Sequence, residues 1–210
     1  MGTKSLNEKR SDTIQRILDA ATAVFSELGF TGARVDEIAD RAGVNKATIY
    51  YHIGDKQALY AEVLHRTLGG GAEALLSRLE LEASPKDKLK RYIRQIIGTV
   101  ERNPQVPPIV MREVASGGEN FPEVVVEDIT KIVGALSGIL KDGARVGEFI
   151  ETNPFIIHMM VLGCVLFYKN MQAIKAKHAD FPDSLNKLDQ GMETDYAGEI
   201  EKLILKAVKA

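Results

Sequence analysis

Several features are scarce in this chain of 210 residues, and each scarcity excludes a class of protein. A single cysteine, Cys164, rules out an internal disulfide framework. The net charge is −2, so no general basicity indicates a polyanionic partner. The longest apolar run, Phe155 to Tyr168, has 14 residues, fewer than the roughly 20 that a bilayer span needs. The first ten residues lack the apolar core of a signal peptide. Together these absences predict a soluble cytoplasmic protein without a membrane partner.

The chain nevertheless contains enough apolar material for a folded core. Hydrophobic residues make up 45% of the sequence and charged residues 27%, which argues against a disordered chain. Within residues 1–56, eight Lys and Arg residues balance eight Asp and Glu residues. A surface for a nucleic acid must therefore come from the placement of charges on one face and not from their excess.

Apolar residues recur with helical spacing along the whole chain, and no stretch alternates convincingly as a strand would. One stripe from Ile14 to Leu28 predicts a first helix that Ser11 caps and Gly29 ends in the left-handed conformation. In the second half, Pro85 and Pro154 suit the first turns of two longer helices. We predict an all-α protein of about nine helices.

Residues 35–52 have the pattern of a helix-turn-helix. A short helix from about Val35 to Ala42 is followed by a tight turn at Gly43-Val44, and a second helix begins after Asn45, a good N-cap. We predict that apolar residues at the right spacing pack the two helices together: Ile38, Ala39, Ala42, Val44 and Ile49. The boundary of this N-terminal domain is predicted at residue 56, and residues 57–210 form a second helical domain.

The exposed face of the second short helix is unusual for a solvated surface. Within seven residues it offers hydrogen-bond donors and flat rings suited to phosphates and base edges: Lys46, Thr48, Tyr50, Tyr51 and His52. The alternative is that Tyr50 packs beneath the small domain and Lys46 is merely solvated.

This stretch resembles the signature of the TetR family of one-component bacterial regulators. The matching residues are Val35, Ile38-Ala39, Ala42-Gly43-Val44, Thr48, Tyr50, His52, Lys56 and Leu59. The resemblance covers about residues 10–60. It implies that Thr48, Tyr50, His52 and Lys56 contact the DNA backbone, that Lys46 and Tyr51 are best placed for bases, and that Ile49 and Ile53 are core. The full set of expected DNA contacts is Arg34, Val35, Asn45, Lys46, Ala47, Thr48, Tyr50, Tyr51, His52 and Lys56.

Three positions depart from the family signature. The usual Ser or Thr before Val35 is replaced by Ala33-Arg34, which removes a helix cap and a phosphate contact. Arg34 either replaces that contact by its charge or is simply solvated. Ala47 stands where Gly is common, and Ile53 replaces the usual Phe.

The resemblance also implies a variable C-terminal domain that binds a small molecule and dimerises through its last two long helices. The run from Phe155 to Tyr168 is apolar almost all round, as a helix between the domain interior and a second subunit would be. A final stripe from Ile200 to Val208 completes the predicted four-helix bundle of a homodimer. Repression of a palindromic double-stranded DNA operator is expected, because the family consists mostly of repressors.

The pocket for a small-molecule effector is predicted from apolar and aromatic residues, with few polar ones. Its candidate residues are Tyr92, Ile96, Met111, Phe149, His158, Met159 and Phe167, with Arg112 or Glu113 as a polar anchor. Alternatively, each of these residues belongs to the hydrophobic core or to the protein surface and has no role in a pocket. The low polarity favours an apolar or aromatic effector. Cys164 is a candidate redox sensor, but its apolar neighbours in sequence favour a buried and inert cysteine.

Three glycines, Gly69–Gly71, interrupt the long helix that links the two halves. Each mid-helix glycine costs about 0.8–1.0 kcal/mol relative to alanine, so they mark a weak point. This is either a kink or helix end, or a hinge through which an effector moves residues 55–68 and changes the separation of the recognition helices.

No motif carries the chemistry of an enzyme. A phosphate-binding glycine loop, a His-Glu-x-x-His pair, a cysteine cluster and a nucleophile elbow are all missing from the sequence. The four histidines lie too far apart in sequence to predict a metal site. We therefore predict no catalytic residue, metal or cofactor. A helical adaptor for protein partners remains as the alternative to a DNA-binding regulator.

Overall fold

The computed structural model describes residues 6–69, 72–178, 182 and 192–210, and these ranges are almost entirely helical. The helices are α1 (Leu6–Gly32), α2 (Val35–Ala42), α3 (Lys46–His52), α4 (Lys56–Leu64), α5 (Ala72–Leu79), α6 (Pro85–Arg102), α7 (Val106–Ala115), α8 (Glu123–Arg145), α9 (Pro154–Lys177) and α10 (Met192–Val208). A π-helical turn, His65–Gly69, continues α4. The all-α prediction is confirmed.

Side-chain caps set several helix starts where the sequence indicates them. Asn45 and Asp55 accept hydrogen bonds from the third backbone N–H of α3 and α4, respectively. The expected cap at Ser11 is wrong, because α1 is already helical from Leu6 and Ser11 lies inside it. Gly29 ends the regular part of α1 with a φ of +70°, although helical hydrogen bonding resumes as far as Gly32.

The described helices pack around two hydrophobic cores. The N-terminal core collects side chains from α1 to α4, and it includes Leu59, Tyr60 and Val63 beyond residue 56. The C-terminal core collects side chains from α5 to α10. Ile109 of α7 and Val125 of α8 are buried in the N-terminal core, so these two helices belong to both halves.

The connection between the two halves is a π-helical turn followed by α5. Gly69 is the last residue of that turn. Gly70 and Gly71 lie outside the described residues, so the predicted hinge is described only at its first glycine.

Helix α9 has one buried face and one exposed apolar face. Ile157, Val161 and Val165 are buried in the C-terminal core. By length and composition alone, α9 is the one helix among the described ranges that could cross a membrane; it is longer than the 14-residue run that it contains. Cys164 is exposed, so its predicted burial is wrong. It lies between Met160 and Phe167 on the exposed face, which its apolar neighbours in sequence do not reveal.

Candidate nucleic-acid interface and internal cavity

The turn between α2 and α3 depends on a left-handed glycine. Gly43 has φ +64° and ψ +40°, and its N–H donates to the carbonyl of Asp40. Val44 donates in the same way to Ala39, whose small side chain is buried in the N-terminal core. This closed turn fixes the angle at which α3 leaves α2.

Helix α3 is anchored by one apolar side chain and one cap. Ile49 is fully buried in the N-terminal core. At the N-terminus, Asn45 Oδ1 accepts from both the N–H and the hydroxyl of Thr48, each at 2.8 Å. The helix is therefore held from beneath, and its opposite face is available to a ligand.

That opposite face carries two large rings and a cation. Tyr51 is 81% exposed and Tyr50 48% exposed. The Nζ atom of Lys46 lies 3.0 Å from a carboxylate oxygen of Asp36. This hydrogen bond raises the pKa of Lys46, so its amine carries a positive charge. Exposed rings beside a paired lysine form a surface that can meet the edges of bases.

The other residues that are expected to contact DNA lie around this face, and they differ in how exposed they are. Arg34, Asn45 and Ala47 are exposed. Arg34 precedes α2 without making a side-chain cap, as its replacement of the usual Ser or Thr predicts. Val35 is buried, so only its backbone at the start of α2 is available. His52 is half-buried, and its Nδ1 has no hydrogen-bond partner among the described residues.

Lys56 is held at the end of α1 rather than extended into solvent. Its Nζ lies 4.5 Å from the centre of the Phe30 ring and 3.4 Å from the carbonyl oxygen of Thr31. Partial burial lowers the pKa of this amine. The contacts with Phe30 and Thr31 hold the amine beside the helix-turn-helix.

A small apolar cavity of about 70 Å³ lies inside the C-terminal domain. Of the predicted pocket residues, Ile96 and His158 line the cavity. Tyr92 does not line it, but its hydroxyl lies 2.6 Å from Nδ1 of His158. The complete lining is Leu68, Leu75, Gln95, Ile96, Thr99, Val100, Val110, Phe121, Ile129, Ile132, His158 and Leu162. Gln95 and Thr99 share a helical face with Tyr92 and Ile96, which is the one signal in the sequence that points to them.

The structure places the other predicted pocket residues elsewhere. Met111 is half-buried against the C-terminal core without lining the cavity. Phe149 packs over Gly143, whose missing side chain makes room for the ring. Met159 and Phe167 are 42% and 64% exposed on the outer face of α9. Arg112 is exposed as well, and it faces the N-terminal domain.

Helix α7 joins the cavity to the N-terminal domain. Val110 lines the cavity, whereas Arg112 donates to the backbone carbonyls of Ser26 and Glu27 near the end of α1. The next residue, Glu113, is buried and accepts a hydrogen bond of 2.7 Å from Tyr60 of α4. Burial, and secondarily this bond, raises the pKa of Tyr60. One short helix therefore contacts the cavity, α1 and α4.

Three side chains in the cavity wall also pack against the N-terminal core. They are Leu68 after α4, Phe121 before α8 and Ile129 within α8. A molecule that displaces any of them also disturbs the packing beneath the helix-turn-helix, because protein interiors are close-packed.

A helix-turn-helix joined to a helical domain is the architecture of a DNA-binding transcriptional regulator. Residues 17–63 match the family model for bacterial regulatory proteins of the tetR family, and residues 82–168 match the tetracyclin repressor-like C-terminal domain. The chain belongs to the TetR family of HTH-type transcriptional regulators, which are not enzymes.

Individual relatives agree with this assignment. The chain is 32% identical over 165 residues to the HTH-type transcriptional repressor NicS of Pseudomonas putida, covering 75% of this chain and 76% of NicS. It is 26% identical over 171 residues to the regulator RutR of Escherichia coli strain K12, covering 80% of each.

Solved structures share the fold. FadR of Bacillus subtilis, in complex with stearoyl-CoA, superposes with a TM-score of 0.69 at 21% identity, covering 91% of this chain and 97% of FadR. AibR, in complex with isovaleryl coenzyme A and operator DNA, gives a TM-score of 0.60 at 22% identity, covering 75% and 86%.

Proposed function

We propose that this protein is a cytoplasmic homodimeric repressor that binds a palindromic operator and leaves it when a small apolar or aromatic molecule enters the cavity. The observation that carries the proposal is α3, a recognition helix with a buried anchor and an exposed face of rings and donors. Repression follows the relative NicS, which is a repressor. FadR and AibR hold acyl-coenzyme A molecules, which supports an effector site in the helical domain.

The DNA contacts divide by depth and chemistry. Tyr51 and Lys46 read base edges, because Tyr51 is the most exposed ring of α3, at 81%, and Lys46 carries the positive charge at its first turn. Backbone contacts come from the residues around them: Arg34, Asn45, Ala47, Thr48, Tyr50, His52 and Lys56, with Val35 contributing its N–H. The pair between Lys46 and Asp36 opens when the amine meets DNA, so Asp36 offsets part of the general attraction of this lysine for DNA of any sequence.

The dimer surface is the outer face of α9 together with α10. Large apolar side chains are exposed along it: Phe155, Ile156, Met159, Met160, Phe167, Met171, Ile174 and Leu203. A contiguous apolar stripe of this length on a soluble protein marks an interface. A two-fold pairing would set two recognition helices roughly 34–36 Å apart, which matches successive major grooves.

Effector binding acts through the walls of the cavity. An engineered cavity that holds benzene has about 150 Å³, so an effector of that size or larger has to widen this one of about 70 Å³. Widening displaces Leu68, Phe121 or Ile129, or pushes α7 through Val110. The movement reaches α1 and α4 through Arg112 and Glu113, and it changes the separation of the recognition helices.

The test is a gel-shift titration with a duplex that the wild-type protein selects from a random DNA library, beside a scrambled duplex of equal length. Lys46→Ala and Tyr51→Ala should each weaken binding to the selected duplex roughly 5- to 100-fold, with a smaller loss for scrambled DNA. The control is Lys141→Ala, which removes an exposed lysine of α8 and should change neither affinity. Equal losses on both duplexes would remove Lys46 and Tyr51 as base readers, and a failed selection would contradict the DNA-binding function.

A further inference from the structure

The wall of the cavity contains almost no polar group. Among the described residues that line it, only Gln95, Thr99 and His158 have polar side chains, and none of the lining residues is charged. A charged group buried there would find no opposite charge among the lining side chains, and burial of an unpaired charge is strongly unfavourable. The nearest guanidinium groups, those of Arg78 and Arg102, are engaged with Gln95 and Thr99. The lining therefore disfavours an anion or a cation.

The histidine in this wall is held in one orientation by a tyrosine. Tyr92 is fully buried and His158 is 3% exposed, and the hydroxyl of Tyr92 lies 2.6 Å from Nδ1 of His158. The rings meet edge to face, with their centres 6.3 Å apart. This bond fixes which edge of the imidazole turns away from Tyr92.

The protonation of the imidazole follows from its surroundings. Burial lowers the pKa of His158, so the ring is neutral near pH 7. A phenol hydroxyl is the natural donor in this pair and Nδ1 the natural acceptor, which leaves the single ring proton on Nε2. No hydrogen bond from Nε2 is found in the part of the chain that the structure describes. Nε2 is also not one of the fully enclosed unpaired atoms there, which are His52 Nδ1 and Glu113 Oε2, so it borders open space. The wall thus contains an N–H donor that a buried partner holds in one direction, beside the half-buried amide of Gln95, which accepts from Arg78 through Oε1.

We propose that the Nε2–H of His158 selects the effector: an uncharged, largely apolar molecule with a carbonyl or similar oxygen that accepts this hydrogen bond. Tyr92 is a positioning residue that keeps the proton on Nε2. The inference rests on the proposed effector site, and it narrows the effector class. A molecule without an acceptor leaves the N–H unsatisfied, and a carboxylate enters without a counter-charge.

Three probes of one shape test this inference: acetophenone with a neutral acceptor, ethylbenzene without an acceptor, and benzoate with a charge. Their affinities for the full-length protein are measured by calorimetry at pH 7.5. Acetophenone should bind about tenfold more tightly than ethylbenzene, as expected for one hydrogen bond made in a buried site. Benzoate should bind more weakly than acetophenone by at least the same factor.

Three variants test whether His158 causes the preference for acetophenone. His158→Phe keeps a flat ring without the N–H, and the ratio of acetophenone affinity to ethylbenzene affinity should fall to about one. His158→Gln restores an N–H donor and should recover part of that advantage. Tyr92→Phe should reduce it, because the imidazole proton is then free to move to Nδ1.

Three results would overturn the inference: no binding of acetophenone, binding of benzoate as tight as acetophenone, or an unchanged acetophenone preference in His158→Phe. The first two are read from the wild-type protein, so they do not depend on the folding of a variant. Operator binding in the gel shift is a separate readout. A failure of the probe preference leaves it intact, and a failure of operator binding leaves the probe preference intact.

Discussion

At the scale of single residues, the turn before the recognition helix depends on the backbone conformation of Gly43. Its φ of +64° lies in the left-handed region, where a side chain crowds the following carbonyl. A Cβ at this position would lie 3.6 Å from the guanidinium of Arg16, which is ordinary contact. The requirement for glycine is therefore conformational and not a matter of space.

Gly43→Ala should lower the free energy of unfolding by about 1–2 kcal/mol, the cost of a left-handed alanine. It should also weaken operator binding, because α3 shifts relative to α2. The measurements are urea unfolding and the gel shift. The matched control is Gly134→Ala within α8, where a Cβ meets no atom within 4 Å and helix propensity favours alanine by about 0.8–1.0 kcal/mol. Equal stability changes of the two variants would contradict the role assigned to the turn.

Single-residue predictions from the sequence were right where the rule is local. Asn45 caps α3 because its side-chain oxygen reaches the N–H of the residue three positions later, which needs no knowledge of the fold. The cap at Ser11 was wrong because the polar first turns of α1 carry no apolar stripe to reveal them. The burial of Cys164 was wrong because every neighbour on α9 is apolar, so the sequence does not show which face points inward.

At the scale of elements, α7 connects the two domains through a buried polar pair. Glu113 is 4% exposed, and one of its carboxyl oxygens bonds to Tyr60 while the other has no partner among the described residues. The pair places a polar contact between α4 and α7 in otherwise apolar packing. Such contacts have strong geometric requirements, because loss of one partner leaves the other buried and unsatisfied.

Tyr60→Phe should lower the free energy of unfolding by about 1–3 kcal/mol, since it leaves the carboxyl group of Glu113 without a partner. Denaturant unfolding measures the loss. The double variant Tyr60→Phe with Glu113→Leu should recover much of it, because both polar groups are then removed. A Tyr60→Phe protein as stable as the wild type would show that the pair contributes nothing to stability.

The sequence predicts where the helices begin better than it predicts which residues line the cavity. Starts at Pro85 and Pro154 follow from proline chemistry, and the helix-turn-helix follows from turn and apolar spacing. The cavity is assembled from side chains between Leu68 and Leu162, which only the packing of helices brings together. Phe149 shows the same limit. As an aromatic residue it is predicted for the pocket, whereas the structure packs it over Gly143.

At the scale of the whole molecule, the proposed dimer depends on the exposed face of α9. Phe167→Glu puts a charge in the middle of that face and should convert the protein to a monomer, as measured by equilibrium sedimentation at micromolar concentration. Operator affinity should then fall by about 100-fold or more, because the two half-sites are no longer linked.

The control for this variant is Leu81→Glu, which changes a leucine that is 83% exposed but lies outside α9 and α10. It should leave both sedimentation and operator affinity unchanged. A wild-type protein that sediments as a monomer, or a Phe167→Glu protein that remains a dimer, would contradict the proposed interface.

The two kinds of residue in the cavity wall have a consequence for engineering this protein as a biosensor. Leu75, Val100 and Leu162 contact the C-terminal core alone, whereas Leu68, Phe121 and Ile129 also pack against the N-terminal core. Substitutions in the first group should retune ligand preference at a constant basal output. Substitutions in the second group should also change the level of transcription in the absence of the effector. A library built on the first group therefore separates recognition from signalling.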